Sequence, residues 1–321
     1  MRLLALLILS LSLPGFAAEV RPEDHARLET LSQELNISLE QLVTGMQQAQ
    51  FRQSVLDAIQ RPWEAKPWYQ YRPLFITPDR IRQGVAFWRK NASQLDRAAV
   101  RMQVPPEVVV AIIGIETYFG TRMGNHPVLD ALYTLGFHYP ERAPYFSKEF
   151  AQFVRLANEQ KWPLRQPMGS YAGAMGMGQF MPTSYLHFAV DFDNDGHKDL
   201  FANPADAIGS VANYFAEHGW HYGEPVATPA TLITPLPAGI LTDNPDLIHS
   251  WKQLHDVGVR ISTDLPADTP VKLLRLEQPT GNEYWVVRHN FYVITRYNRS
   301  PLYAMAVYQL SQELAHAYHA Q

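Results

Sequence analysis

Val108-Val109-Val110-Ala111-Ile112-Ile113-Gly114-Ile115 is an unbroken apolar run that ends on a single carboxylate, Glu116. A run of this kind wants burial, so the chain around it has to fold over it. If Pro105 and Pro106 open a helix that closes near Gly120, the helical neighbours of Glu116 are Ile112, Ile113, Phe119 and Gly120, none of them charged. Burial in low dielectric penalises the ionised carboxyl and raises its pKa. A glutamic acid in such a setting stays protonated near neutral pH and can donate a proton. The spacing allows a plainer reading too, a glutamate in the last helical turn that snorkels to water.

Residues 1–18 read as a secretory signal peptide, with Arg2, the apolar stretch Leu3 to Leu9, and small residues at Gly15, Ala17 and Ala18. That stretch is short for a bilayer span and no other segment is long enough, so no stable membrane anchor is expected. Cysteine is absent, which excludes a lipid-bearing amino-terminal Cys and a disulfide framework and leaves stability to the core. Lys and Arg number 27 against 31 Asp and Glu; removing the leader takes Arg2, giving 26 − 31 = −5, and no nucleic-acid partner is expected without a basic face. The twelve histidines lack metal-ligand spacing, while the 12% of aromatic residues suit either a core or a sugar-stacking groove.

Helical spacing from Asp24 to Ile59 predicts two or three helices, one capped by Ser38 with Gln41 three residues on. The Pro- and aromatic-rich segment from Arg61 to Pro73 reads as extended chain lying over the body. Thr77-Pro78-Asp79 starts a helix expected to run to about Val104. Beyond residue 221 the character changes: Val271–Leu276, a turn at Pro279–Asn282 and Tyr284–Val287 predict a β-hairpin in a small lobe. Tyr303 to Tyr318 is helical again. The expected fold class is mainly α (α+β). Its expected parts are an N-terminal α-helical lobe over 19–100, a catalytic core over 101–220, a small inserted β lobe over 221–290, and a return to the core over 291–321.

Two further motifs carry chemistry. Gly169-Ser170-Tyr171-Ala172-Gly173-Ala174-Met175-Gly176-Met177-Gly178-Gln179-Phe180-Met181-Pro182 has a glycine density that lets backbone approach a ligand. A loose connector would hardly carry Met175, Met177, Phe180 and Met181, so a packed, ligand-lining turn is expected, with Ser170 and Gln179 as its hydrogen-bonding side chains. Asp191-Phe192-Asp193-Asn194-Asp195-Gly196-His197 matches the first half of an EF-hand calcium loop: side-chain oxygens at positions 1, 3 and 5, Gly at 6, and the backbone carbonyl of His197 at 7. Position 12 is Ala202 where a bidentate Glu should stand, and Asp206 is available to close a lengthened loop. A solvated acidic Asx-turn is the alternative. The metal reading prefers a structural Ca²⁺ for its large, flexible shell, and no organic cofactor is expected.

Taken in order, Ile112–Gly120, Gly169–Pro182, Asp191–Gly196 with Asp206–Phe215, and Arg296–Ser300 with Tyr303–Val307 resemble the lytic murein transglycosylase B family, here in a form without a lipid-anchoring cysteine. The resemblance runs from about Tyr71 to the end. It implies a lysozyme-like helical core and an EF-hand-like calcium loop of unusual length, spanning 191–206. It further implies that Glu116 is the sole catalytic acid/base and that Tyr71, Tyr145, Ser170, Gln179, Tyr214, Tyr297, Asn298 and Tyr303 line a glycan groove. Where the family often has two adjacent arginines facing substrate carboxylates, this chain has Glu141 and Arg142, so only Arg142 is retained as a substrate contact.

An ordinary glycosidase needs two carboxylates a few ångströms apart. Near Glu116 the sequence offers no second acid before Asp130, which favours a one-carboxylate reaction. The expected activity is cleavage of the β-1,4 bond between N-acetylmuramic acid and N-acetylglucosamine, leaving 1,6-anhydromuramyl ends. Ser170 or Asn298 is available to orient the acetamido group, and Gln179 to hold Glu116. The rivals are a hydrolytic muramidase on the same core and a non-catalytic, calcium-dependent glycan-binding envelope protein. Expected partners are peptidoglycan glycan strands and other cell-wall enzymes, and the expected location is the periplasm of a Gram-negative bacterium, in soluble form.

Overall fold

The structure is a computed structural model that describes residues 20–60, 66–242, 244 and 246–320. The expected signal peptide lies outside the described residues. Three helices, α1 (Pro22–Leu35), α2 (Leu39–Gln48) and α3 (Gln53–Ile59), open the chain. The Ser38 side chain caps α2 by accepting from the Gln41 N–H. The Pro-rich segment departs from expectation: Trp68–Phe75 forms helix α4, with Pro67 at its cap and its carbonyl taking the Gln70 and Tyr71 N–H groups. Pro73 falls near the end of α4, where few helical bonds remain to be lost.

The helix expected from Thr77 to Val104 is two helices, α5 (Pro78–Lys90) and α6 (Ala92–Met102). Asn91 makes the break. Its side-chain amide donates to the Phe87 carbonyl at 2.8 Å, an option that lets asparagine compete with the helical ladder. Helix α7 (Pro106–Thr117) follows, apolar on every face, and α5, α6 and the later helices over Pro204–Glu217 and Pro301–His319 pack around it. Val108 to Ile113 are buried as a block. A helix hydrophobic all round is stable only inside, and this one is the axis of the molecule.

Two short strands, β1 (His126–Pro127) and β2 (Met168–Gly169), pair antiparallel with His126 opposite Gly169. This pins the start of the glycine-rich loop beside the segment that leaves α7. Between them α8 (Val128–His138) and α9 (Ala143–Glu159) pack side by side, and α10 (Pro182–Phe188) and α11 (Pro204–Glu217) close the front. The later strands β3 (Ala227–Leu232), β4 (His249–Ser250), β5 (Val259–Ile261), β6 (Pro270–Glu277) and β7 (Asn282–Val287) form an antiparallel sheet in the order β4-β6-β7-β3-β5. The hairpin read from the sequence is its β6–β7 centre, and the rest of the sheet went unread. Helix α12 (Trp251–Asp256) joins this sheet in a separate small core of Trp251, Leu254, Val259, Val271, Leu273 and Val286. Helix α14 (Pro301–His319) returns to pack on α5 and α7 within the large core, with α13 (His289–Tyr297) packed against α14.

Candidate active site

Glu116 sits in the last turn of α7, and the way that helix stops determines where its carboxyl points. The sequence suggested closure near Gly120; the helix ends at Thr117, and Tyr118 (φ 52°) and Phe119 (φ 60°) both take the left-handed conformation before Gly120. The Tyr118 and Phe119 N–H groups return to the Gly114 and Ile113 carbonyls, closing the helix without a glycine at its left-handed cap. Two consecutive left-handed residues of this bulk are strained and persist only where their surroundings hold them. Phe119 is held in a slot between two glycines: a Cβ on Gly114 would come within 2.7 Å of its ring, and one on Gly84 within 2.9 Å. Thr117, buried, fastens the end by donating its hydroxyl to the Met177 carbonyl at 2.8 Å while accepting from the Gly120 N–H.

The Glu116 carboxyl is partly open to solvent but enclosed by protein mass on its other sides. Desolvation pushes its pKa from 4.5 up to about 7, and the hydrogen bond from Tyr303 pulls it back only in part. The Tyr303 hydroxyl donates to Oε1 at 2.5 Å. No carboxylate figures among the causes of the shift. Asp130, the next acid along, is buried elsewhere, paired with Arg52 at 2.8 Å and Arg165 at 3.1 Å and accepting the Gln50 N–H.

The tyrosines named from the sequence gather around this carboxyl. Glu116 and Tyr297 raise the Tyr303 pKa, as does Tyr71 from α4; Tyr214 acts in turn on Tyr297, and Tyr145 on Tyr214. Direct contacts place Tyr303 on the Glu116 carboxyl and Tyr297 edge-on against Tyr214. Burial is the largest cause of the raised pKa at Tyr297 and Tyr303, and it pushes Tyr214 and Tyr145 up to about 12. All of them remain neutral donors. Tyr297 donates to the Gly178 carbonyl at 2.5 Å, and a Cβ on Gly178 would stand 2.9 Å from that hydroxyl, so glycine is what admits the contact. Tyr214 donates to the Arg296 carbonyl and lies edge-on to Tyr297 at 4.8 Å, with Phe180 behind both.

The glycine-rich loop is packed as expected. Met175 and Phe180 exchange backbone hydrogen bonds, and Met175, Met177 and Phe180 are buried. Ser170 Oγ accepts from the Ala172 and Ala174 N–H groups, leaving its own proton available. The suggestion that Gln179 holds Glu116 is not what the structure has. Its amide nitrogen donates to the Met123 and Gly176 carbonyls, because a left-handed backbone (φ 52°) turns the side chain into the loop. Asn298 is exposed and accepts the Ser300 N–H. Arg142 is exposed and lies over the Tyr145 ring at 5.1 Å. The Thr117–Met177 tie has no signal in the sequence, since it joins a hydroxyl to a backbone carbonyl sixty residues away.

In the acidic loop, one carboxylate oxygen each from Asp191, Asp193, Asp195 and Asp206 lies within 4.8 Å of the others. Asp206 is fully buried at the start of α11, taking the Phe192 N–H at 2.7 Å and the Asp199 N–H at 2.8 Å. Burial raises its pKa despite these bonds. Asp191 accepts the Asp195 and Gly196 N–H groups, Asp195 that of His197, and Asn203 donates to Asp193. Among the described residues no ion pair reaches the four acids. Four converging oxygens, one of them buried, without a countercharge fit a divalent cation with hard-oxygen preference. The imidazole of His197 is exposed, outside this cluster.

The sequence profile described as the transglycosylase SLT domain matches residues 22–312. The chain belongs to this family. This SLT-domain chain is 49% identical over 249 residues to the membrane-bound lytic murein transglycosylase B of Escherichia coli K12, spanning 77% of this chain and 67% of that protein. The lytic transglycosylase SltB1 from Pseudomonas aeruginosa matches with a TM-score of 0.88 at 46% identity, over 93% of this chain and 99% of that one. The E. coli lytic transglycosylase Slt35, solved in complex with calcium, matches at 0.81 and 42% identity over 93% and 94%. The SLT-domain chain shares their lysozyme-like fold.

Proposed function

We propose that Glu116 is the single general acid and base of a lytic transglycosylase reaction in this chain. As a member of its family the chain is a lytic transglycosylase that acts on peptidoglycan. The observation that carries the residue assignment is a carboxyl with a pKa of about 7, hydrogen-bonded to Tyr303 and shifted by no second acid. Protonated Glu116 donates to the glycosidic oxygen between N-acetylmuramic acid and N-acetylglucosamine as the bond breaks. The substrate's acetamido group stabilises the positive charge at C1, with the Ser170 hydroxyl or Asn298 amide orienting it. The Glu116 carboxylate then takes the proton of the muramyl C6 hydroxyl as that oxygen attacks C1. Protons balance, no water is consumed, and a 1,6-anhydromuramyl end results. Tyr71, Tyr145, Tyr214, Tyr297 and Tyr303 supply hydrogen-bonding and stacking surface along the strand, with Gln179 shaping the loop and Arg142 at the rim.

Asp191, Asp193, Asp195, Asp206 and the His197 carbonyl would hold a calcium ion in an EF-hand-like loop, where it would neutralise four acids and order the approach to α11. The order of parts proposed is a helical lobe over 19–100, a core over 101–220, a β lobe over 221–290 and a return over 291–321. Work on murein belongs to the cell envelope. Among the described residues no single helix is long and apolar enough to cross a membrane. The leader-like residues 1–18 support export to the periplasm in soluble form, beside other cell-wall enzymes.

Mass spectrometry of the soluble products from purified sacculi tests this reading. Anhydromuropeptides, released by wild type and not by Glu116→Gln, are the expected result. Reducing muropeptides would make water the acceptor, and turnover by the Gln variant would remove Glu116 from the chemistry.

A further inference from the structure

We propose that Tyr118 is a positioning residue for Glu116, held by Asp79 and Arg80, and that Arg80 is the common anchor of the two routes by which the acid is fixed. The inference rests on the assignment of Glu116 as the catalytic acid. The first route runs along the chain. Glu116 lies two residues before Tyr118, whose left-handed backbone sets how the end of α7 leaves the helix. That conformation is unfavourable for tyrosine and has to be supplied by contacts of its side chain. The Tyr118 hydroxyl donates to Asp79 at the start of α5. Two guanidinium groups lie over its ring, Arg122 at 4.6 Å and Arg80 at 4.9 Å from the centroid.

The second route crosses the groove. Tyr303 on α14 donates to the Glu116 carboxyl, and α4, which bears Tyr71, packs against α14. Arg80 is 8% exposed and donates through Nη1 to the Leu74 and Phe75 carbonyls at 2.7 and 2.6 Å, which fastens the carboxyl end of α4. It also faces the Phe75 ring at 5.5 Å. Among the described residues no acid pairs with it. A buried arginine without an ion pair is expensive to keep, and here its planar fork serves two carbonyls and two aromatic faces at once. One guanidinium thus joins the helix that bears Tyr71 to the residue that turns the chain after Glu116.

The test is steady-state kinetics on soluble glycan oligomers with melting curves for wild type, Tyr118→Phe, Asp79→Asn, Asp79→Leu and the Tyr118→Phe/Asp79→Leu double variant. Tyr118→Phe loses one hydroxyl, and kcat should fall about tenfold while KM stays within about twofold, since small displacements of reacting groups cost rate more than binding. Asp79→Asn still accepts the phenol proton and should restore kcat to within about twofold of wild type, whereas Asp79→Leu should match Tyr118→Phe. The double variant should be no worse than either single one. Wild-type kcat in Tyr118→Phe, multiplicative losses in the double variant, or a raised KM with unchanged kcat would each overturn the proposal. A Glu116→Gln enzyme that is dead beside a fully active Tyr118→Phe enzyme rejects the positioning role alone. An active Glu116→Gln enzyme rejects the catalytic assignment on which it rests.

Discussion

Glu116 and Asp206 are both carboxyls withdrawn from water, and they meet opposite fates. Asp206 is the more deeply buried of the two, and burial and its acidic neighbours raise its pKa, yet two backbone N–H groups bond its carboxylate and the four converging acids suit a cation. Glu116 accepts from one phenol, and desolvation pushes its pKa up to about 7. Depth of burial is therefore a poor guide to what an acid does. The number and kind of hydrogen-bond donors aimed at it decides whether the group performs proton transfer or holds structure.

The largest expected effect breaks the comparison at its reactive end. Glu116→Gln should lower kcat by about a thousandfold or more, as removal of a lone acid/base removes both proton transfers. Chelation or Asp206→Ala should do the reverse, costing stability first; leaving the Phe192 and Asp199 N–H groups unpaired in the interior should cost about 3 kcal/mol in denaturant titrations. Activity of that variant should persist below its lowered melting temperature.

A third expectation uses linkage. Between pH 4.5 and about 7 the native state keeps a proton on Glu116 that the unfolded chain releases, so stability falls as pH rises through this window. Glu116→Gln should be more stable than wild type at neutral pH by on the order of 1–2 kcal/mol, with the difference vanishing at acid pH. The smallest effect concerns the phenol. Activity should decline as pH rises through about 7, and Tyr303→Phe, which removes the one interaction lowering the Glu116 pKa, should move that decline to higher pH. A decline that stays in place would mean that another group titrates there.

What could be read from the sequence followed the range of the forces involved. The burial of α7 and the isolation of Glu116 were legible because an apolar run states its own requirement. The acidic loop was legible because its four acids lie within sixteen residues of one another. The end of α7 was not, since its left-handed Tyr118 and Phe119 depend on Gly84 and Asp79, residues far away in the chain. The break at Asn91 and the helix at Trp68–Phe75 were missed for a related reason. Local composition favoured the wrong outcome, and a side-chain bond or packing against neighbours reversed it. Gln179 belongs here too, because a polar residue in a glycine cluster was read as facing the ligand when its backbone turns it inward.

Tyr303, the phenol that touches the acid, comes from α14, made nearly two hundred residues after Glu116. A chain emerging from the ribosome carries Glu116 long before it carries Tyr297 and Tyr303. The acid is thus made well before the phenol that touches it, and a product truncated before residue 297 would have Glu116 without either tyrosine.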